Sequence, residues 1–224
     1  MNRARTIPWW IAVIALSGCA SARAEVASEV VEAPGATGEG FLDPELAVNG
    51  VRGGGATMQS LDVYSIRPGT HLVLGWGGRA LMDGPGPDLF VYENAFAYGQ
   101  DGAHFMDPTV VEVSADGERW TAFEHDYVTA DETVYEPQPS AWRGFAGLQP
   151  VARHAEDNPL DPFEPEAGGD AFDLADLPSE AREVRFVRLS PASDWTNPDT
   201  GMPFVRDVVS DGPDIDGVFG VVAP

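Results

Sequence analysis

The feature that most constrains this chain is its punctuation. From Leu61 onward, short apolar runs are each bounded by Gly, Pro or Asp-Gly: "LDVYSI" (61–66) before "RPGT", "HLVLGW" (71–76), "DLFVYEN" (88–94) after "DGPGP", "VRFVRLS" (184–190) and "GVFGVVA" (217–223). With 25 glycines and 19 prolines in 224 residues, nothing beyond the first twenty residues sustains a helical period of apolar positions. Runs of this length, rich in Val, Leu, Phe and Tyr, are strand signals. "TVVEVSADGERWTAF" (109–123) reads as a hairpin turning on Asp116-Gly117. Many short strands and tight turns predict an all-β fold, a β-sandwich. Residues 124–182 hold few such runs and read as a long insertion, of the kind that is functional or poorly ordered.

The first residues are of another kind. Arg3 and Arg5 precede an apolar stretch from Ile7 to Leu16, too short for a mature membrane span, and "LSGC" follows. This resembles the bacterial lipobox, which implies cleavage after residue 18 and lipidation of Cys19, the only cysteine. Ala20 does not resemble an inner-membrane retention signal, so the expected place is the outer membrane or cell surface. Residues 19–40 are rich in Ala, Glu and Gly and read as a flexible tether, with the β domain spanning 41–224. With Cys19 lipidated the mature protein has no disulfide, and its core or a metal must stabilise it.

The charge is lopsided: 36 acidic residues against 13 basic ones, all of them Arg, for a net charge of −23. Such a surface repels nucleic acid and anionic headgroups, so neither is an expected partner beyond the lipid anchor itself.

Four blocks in order, "DGPGPDLFVYENAF" (83–96), "VSADGERW" (113–120), "GGDAFDLADL" (168–177) and "GPDIDGVFG" (212–220), resemble a group of poorly characterised bacterial secreted and cell-surface proteins with the pattern DGPGxDFxVFEN, VSxDGxxF, GGDxFDLxDL, GFDLDAV. The last block departs at Pro213 and Gly217 but keeps Asp214 and Asp216. "VEVSADGERWTAF" and "AREVRFVRLSP" are also similar to hairpin and strand patterns of the galactose-binding-like (discoidin-type) jelly roll. The resemblance implies a galactose-binding-like jelly-roll β-sandwich with long loops and an envelope location, and brings no enzyme activity with it.

The acids invite a metal. On the 88–94 strand, Asp88, Phe90, Tyr92 and Asn94 share one face and Leu89, Val91 and Glu93 the other. Both are mostly apolar, which marks a central strand and sets Glu93 beside core. A buried carboxylate is costly unless paired or metal-bound. Calcium, with roughly 6–8 oxygen ligands, would satisfy several at once. The expected ligands are Asp88, Glu93, Asn94, Asp170, Asp173, Asp214 and Asp216; the spacing is not that of an EF-hand. The competing reading is turn and cap chemistry, in which Asp beside Gly or Pro bonds only backbone amides. His104 is a further candidate ligand, with ordinary surface histidine as its alternative.

No catalytic residue stands out. The chain has no G-x-S-x-G, H-E-x-x-H, C-x-x-C or phosphate-binding glycine loop. The expectation is a non-catalytic binding or structural protein of the envelope, its partner a glycan or another envelope component. Trp76, Trp142 and Trp195 are candidate sugar-stacking residues, with burial as end-plugs the alternative. A carbohydrate-active hydrolase using paired carboxylates is the second reading.

Overall fold

The computed structural model describes residues 23–99 and 101–223, so the expected signal peptide and Cys19 fall outside the described residues. In chain order the strands are β1 (Arg23–Val26), β2 (Glu29–Glu32), β3 (Tyr64–Ser65), β4 (Leu72–Gly75), β5 (Leu89–Glu93), β6 (Phe96–Tyr98), β7 (Ala103–Phe105), β8 (Thr109–Ser114), β9 (Thr121–Ala122), β10 (Asp126–Tyr127), β11 (Trp142–Arg143), β12 (Asp170–Phe172), β13 (Phe186–Pro191) and β14 (Asp214–Val222). Short 3-10 turns join them. Among the described residues no α-helix occurs, and no helix is long and apolar enough to cross a membrane. The all-β expectation holds.

Sheet I runs β1-β14-β5-β12, with β3 also on β14; sheet II runs β2-β4-β13-β8-β9. All these pairings are antiparallel. The β8–β9 hairpin turns on Asp116-Gly117, as the sequence predicts. One apolar cluster joins the two sheets: Leu89, Val91, Ile215 and Val218 from sheet I meet Leu72, Leu74, Val111, Val113, Val187 and Leu189 from sheet II. β5 is central and buried along its whole length. Its other face, Phe90 and Tyr92, packs with Val51, Val151 and Phe219. The segment around Ala47 and Val51 and the 151–163 loop therefore cover the outside of sheet I.

The tether expectation for 19–40 is corrected over residues 23–32. β1 pairs with β14 and β2 with β4, so the chain steps from one sheet edge to the other through Ala27 and Ser28. Ala27 is fully buried and Val30 packs against the core. The glutamates that made this segment look solvated are those of charged edge strands, which deter pairing with other chains. Glu25 does so while binding Arg79 at 2.6 Å.

The 124–182 insertion is ordered by its own aromatic cluster rather than left loose. Tyr127, Trp142, Phe145 and Leu148 bury against Ala95, Met106, Val110, Ala192 and Phe204, at the end of the sheets where β5 finishes and β8 begins. Tyr127 and Trp142 rings sit 4.0 Å apart.

Candidate functional site

The residues expected to share one ion lie in three places. The first is a corner at the start of β5. Asp88 is buried and accepts backbone N–H groups with both oxygens, from Gly84 at 2.9 Å and from Leu174 at 3.2 Å. Asp173 caps its 3-10 turn through the Ala175 amide at 2.8 Å. Asp83 faces Arg182 at 3.4 Å. Among the described residues, Asp83, Asp88 and Asp173 are the one set of three whose ligand oxygens lie within 4.8 Å of one another. Here backbone caps account for Asp88 and Asp173 and an ion pair for Asp83: burial raises the Asp88 carboxyl's pKa, and the two amides act against that rise.

The second place is the far end of β5. Glu93 is buried; its Oε1 accepts the Asp214 amide at 3.2 Å and its Oε2 has no partner. The carboxylates of Asp107, Asp214 and Asp170 surround it. Asp107 is buried and accepts the Ser210 hydroxyl at 2.5 Å; Asp214 accepts from the Ser65 hydroxyl. Asp170 is only half-buried as a residue, yet its carboxyl is enclosed by the Gly147–Gln149 backbone, with the Leu148 amide at 2.9 Å. Burial pushes the Glu93 carboxyl well above the usual carboxylate range, and the neighbouring acids push it the same way. Burial also brings Asp107 and Asp170 up to about 7 and raises Asp214. No basic side chain pairs with Glu93 among the described residues. The donor set is all carboxylate oxygen, which suits a hard divalent cation, and the orphaned Oε2 is the oxygen such an ion would satisfy. The fit is one of charge and of that oxygen; no three of these acids are drawn within 4.8 Å as a ready cage.

The third place lies across sheet I. Asp216, fully buried at the β14 bulge, accepts the Arg52 backbone amide at 2.7 Å, and burial brings it up to about 7. Asn94 clamps Ser60 from both sides: its Oδ1 accepts the Ser60 amide at 2.5 Å and its Nδ2 donates to the Ser60 carbonyl at 3.0 Å. Both hold main chain; the Asp216 Oδ2 is also buried without a partner, and the Asn94 side chain also reaches Asp214 at the edge of the acidic pocket. The single seven-residue ion site is thus corrected to a capped corner, an acidic pocket and two backbone anchors.

Two of the three tryptophans are corrected as well. Trp76 and Trp142 are core residues, with indole N–H groups donating to the Glu25 and Glu136 carbonyls, both at 2.9 Å. A ring buried on both faces cannot stack on a sugar. Trp195 is half-buried beside a shallow surface lined by Thr70, His71 and Arg188. His104 points its Nδ1 at the Leu148 carbonyl, 2.6 Å away, and joins no set of metal-ligating atoms.

Sequence reasoning missed Asp107, which carries the acidic pocket with Glu93, and Arg52, Asp62 and His154, which line a groove over Asp216. Asp107-Pro108 follows the β6–β7 ribbon and looked like an ordinary turn; only the long-range return of Ser210 reveals it. Arg52 sits in a glycine-rich stretch with no periodic signal. Against known proteins, the chain matches no family model and no curated protein.

Proposed function

We propose that this chain is a non-catalytic binding module of the bacterial envelope, anchored through a lipidated Cys19, with a galactose-binding-like jelly-roll topology and a loop end organised by calcium. The observation that carries the cation is Glu93: a buried carboxylate oxygen with no partner, three acid neighbours and no basic side chain against it. Glu93, Asp107 and Asp214 would hold the ion, with Asp170 adding charge from β12. When bound, calcium supplies positive charge that lets these carboxyls ionise in place; the chain's own contribution is to close them behind the aromatic cluster of the insertion. At a hundredfold excess over its dissociation constant, calcium stabilises the fold by about 2.7 kcal/mol.

The test is thermal unfolding of the purified protein at pH 8 with calcium and with chelator, alongside elemental analysis. A higher melting point with calcium, lost in Glu93→Gln, supports the reading. Coincident curves and no bound metal remove the cation. Cys19→Ser tests the anchor separately: the variant leaves the membrane fraction if the lipid holds it there.

A second reading has one observation in its favour. A cleft of about 530 Å3 brings Glu124, Asp170 and Asp176 together beside Phe123, Phe145 and Phe172. A carboxyl raised to about 7 next to other acids is the arrangement a glycosidase uses. Release of reducing sugar from envelope glycans, abolished in Asp170→Asn, would establish it; the three backbone amides enclosing Asp170 favour a structural role instead.

A further inference from the structure

A groove lies over the main chain that Asp216 holds. Two irregular segments, 51–55 and 151–155, run antiparallel: Gly53 donates to the Arg153 carbonyl, Gly55 to Val151 and Ala155 to Val51, each at 2.7–2.9 Å. They meet so closely that a Cβ on Gly53 would lie 2.3 Å from the Val151 carbonyl oxygen, so the floor admits no side chain there. Arg52 and His154 are bridge partners across this pair, and both line an open groove of about 690 Å3 together with Ser60, Leu61, Asp62 and Glu156. That volume lies within the roughly 300–1,000 Å3 of small-molecule sites.

The polar groups are fixed before any ligand arrives. Arg52 reaches Asp62 at 2.8 Å and Glu156 at 3.1 Å, spanning the two walls, and its buried Nε has no partner. Asp62 is also held by Asn49 at 2.7 Å. The His154 Nδ1 accepts the Glu156 and Asp157 amides at 3.3 and 3.1 Å, so a neutral ring carries its proton on Nε2. The buried Asp216 and Asn94 secure the main chain of Arg52 and Ser60 beneath this surface. Beside this polar set Leu61 is 71% exposed and Met58, on the same loop, 67%. Leu61 gives this locked set of donors and acceptors an apolar side chain open to solvent along the groove.

The charges choose the ligand. Arg52 is outnumbered by Asp62, Glu156 and Asp157 along the groove, on a chain of net charge −23, so an anion is repelled. Asp62 is already bound by Arg52 and Asn49 and Glu156 by Arg52, which leaves little drive for an added ammonium at these two, and Asp157 turns its carboxylate to solvent, 87% exposed. Fixed carboxylate, guanidinium and imidazole groups beside an aliphatic wall complement vicinal hydroxyls on one side of a ring and its C–H face on the other. From this we infer that the groove between residues 49–62 and 151–157 binds a neutral sugar, with Asp62 and Arg52 taking the hydroxyls and Leu61 the apolar face. The inference rests on the binding-module reading and gives it a site that uses none of the three tryptophans.

The experiment is an array of neutral, anionic and amino-sugar glycans probed with the whole chain in mild detergent, followed by calorimetry on the best neutral one. Expected is binding to at least one neutral glycan, weakened roughly tenfold or more in both Leu61→Asp and Asp62→Asn. Leu61 is too exposed for its substitution to unfold the protein, and unchanged melting points for both variants confirm that the effect is local. No neutral glycan bound, equal binding by the variants, or binding confined to anionic or amino sugars each overturns the inference. Glu93→Gln separates the two proposals: it removes a calcium response without touching the groove, so sugar binding that persists in chelator stands even if calcium fails.

Discussion

Replacing Asp107 by Asn should make the protein more stable at alkaline pH and leave it unchanged in acid. Asp107 is 9% exposed, and its carboxyl is pushed from an ordinary 3.8 to about 7, chiefly by burial. The folded state therefore keeps a proton that the unfolded state gives up. The stabilisation from that proton is complete below pH 3.8 and is lost as pH rises through 7, because over this window the folded state binds more protons. A tenfold change in proton affinity is worth about 1.4 kcal/mol, so the shift corresponds to about 4 kcal/mol by pH 8. Asn is nearly isosteric, keeps an acceptor for the Ser210 hydroxyl and never ionises. It also removes one of the charges that raise Glu93. Urea unfolding in chelator at pH 5 and pH 8 reads the effect directly. Wild type should lose stability between the two, while the Asn variant loses about 3 kcal/mol less, the rest of the effect falling below pH 5. Adding calcium at pH 8 should restore the wild type and do little for the variant. A wild-type-to-variant difference that is the same at both pH values would refute the reasoning, since it would mean that Asp107 ionises freely in the folded protein.

Deleting residues 23–32 should lower the melting point sharply, because it strips an edge strand from each sheet and the Glu25 carbonyl from the Trp76 indole; proteolysis that trims this segment without loss of stability would contradict that. Asn94→Ala leaves the buried Ser60 amide and carbonyl unpaired, and should cost about 2–4 kcal/mol in chemical denaturation. Arg188→Met strands the buried Glu112 carboxylate, now bound by two 2.6 Å contacts, and should cost about 3 kcal/mol or more. Adding Glu112→Leu to it should recover much of the loss.

The strands were legible where the local pattern and the burial agree. β5, with apolar residues on both faces, announced a central strand, and Asp116-Gly117 announced its hairpin. β1 and β2 were not legible, because an edge strand can carry glutamate and alanine and still be held by its neighbours' backbone; composition over 20–40 could not distinguish that from a tether. Glu93 was legible as a buried acid because its strand is so apolar. Its surroundings were not: Asp107 and Ser210 are distant in sequence and meet only through the fold. Asp88 and Asn94 looked like ligands because sequence cannot tell a carboxylate that binds an ion from one that binds two amides. Trp76 and Trp142 misled in the same way, since a tryptophan among glycines and polar residues can lie in a loop or close the core.

β14 lies almost at the end of this sequence and yet forms the spine of sheet I, touching β1, β3 and β5. Arg23 finds its partner in Val222, nearly the whole chain away. During synthesis, then, the first strand waits for one of the last, and sheet I cannot assemble until the ribosome has released β14. Such a topology folds late and slowly, since its pairings close very long loops.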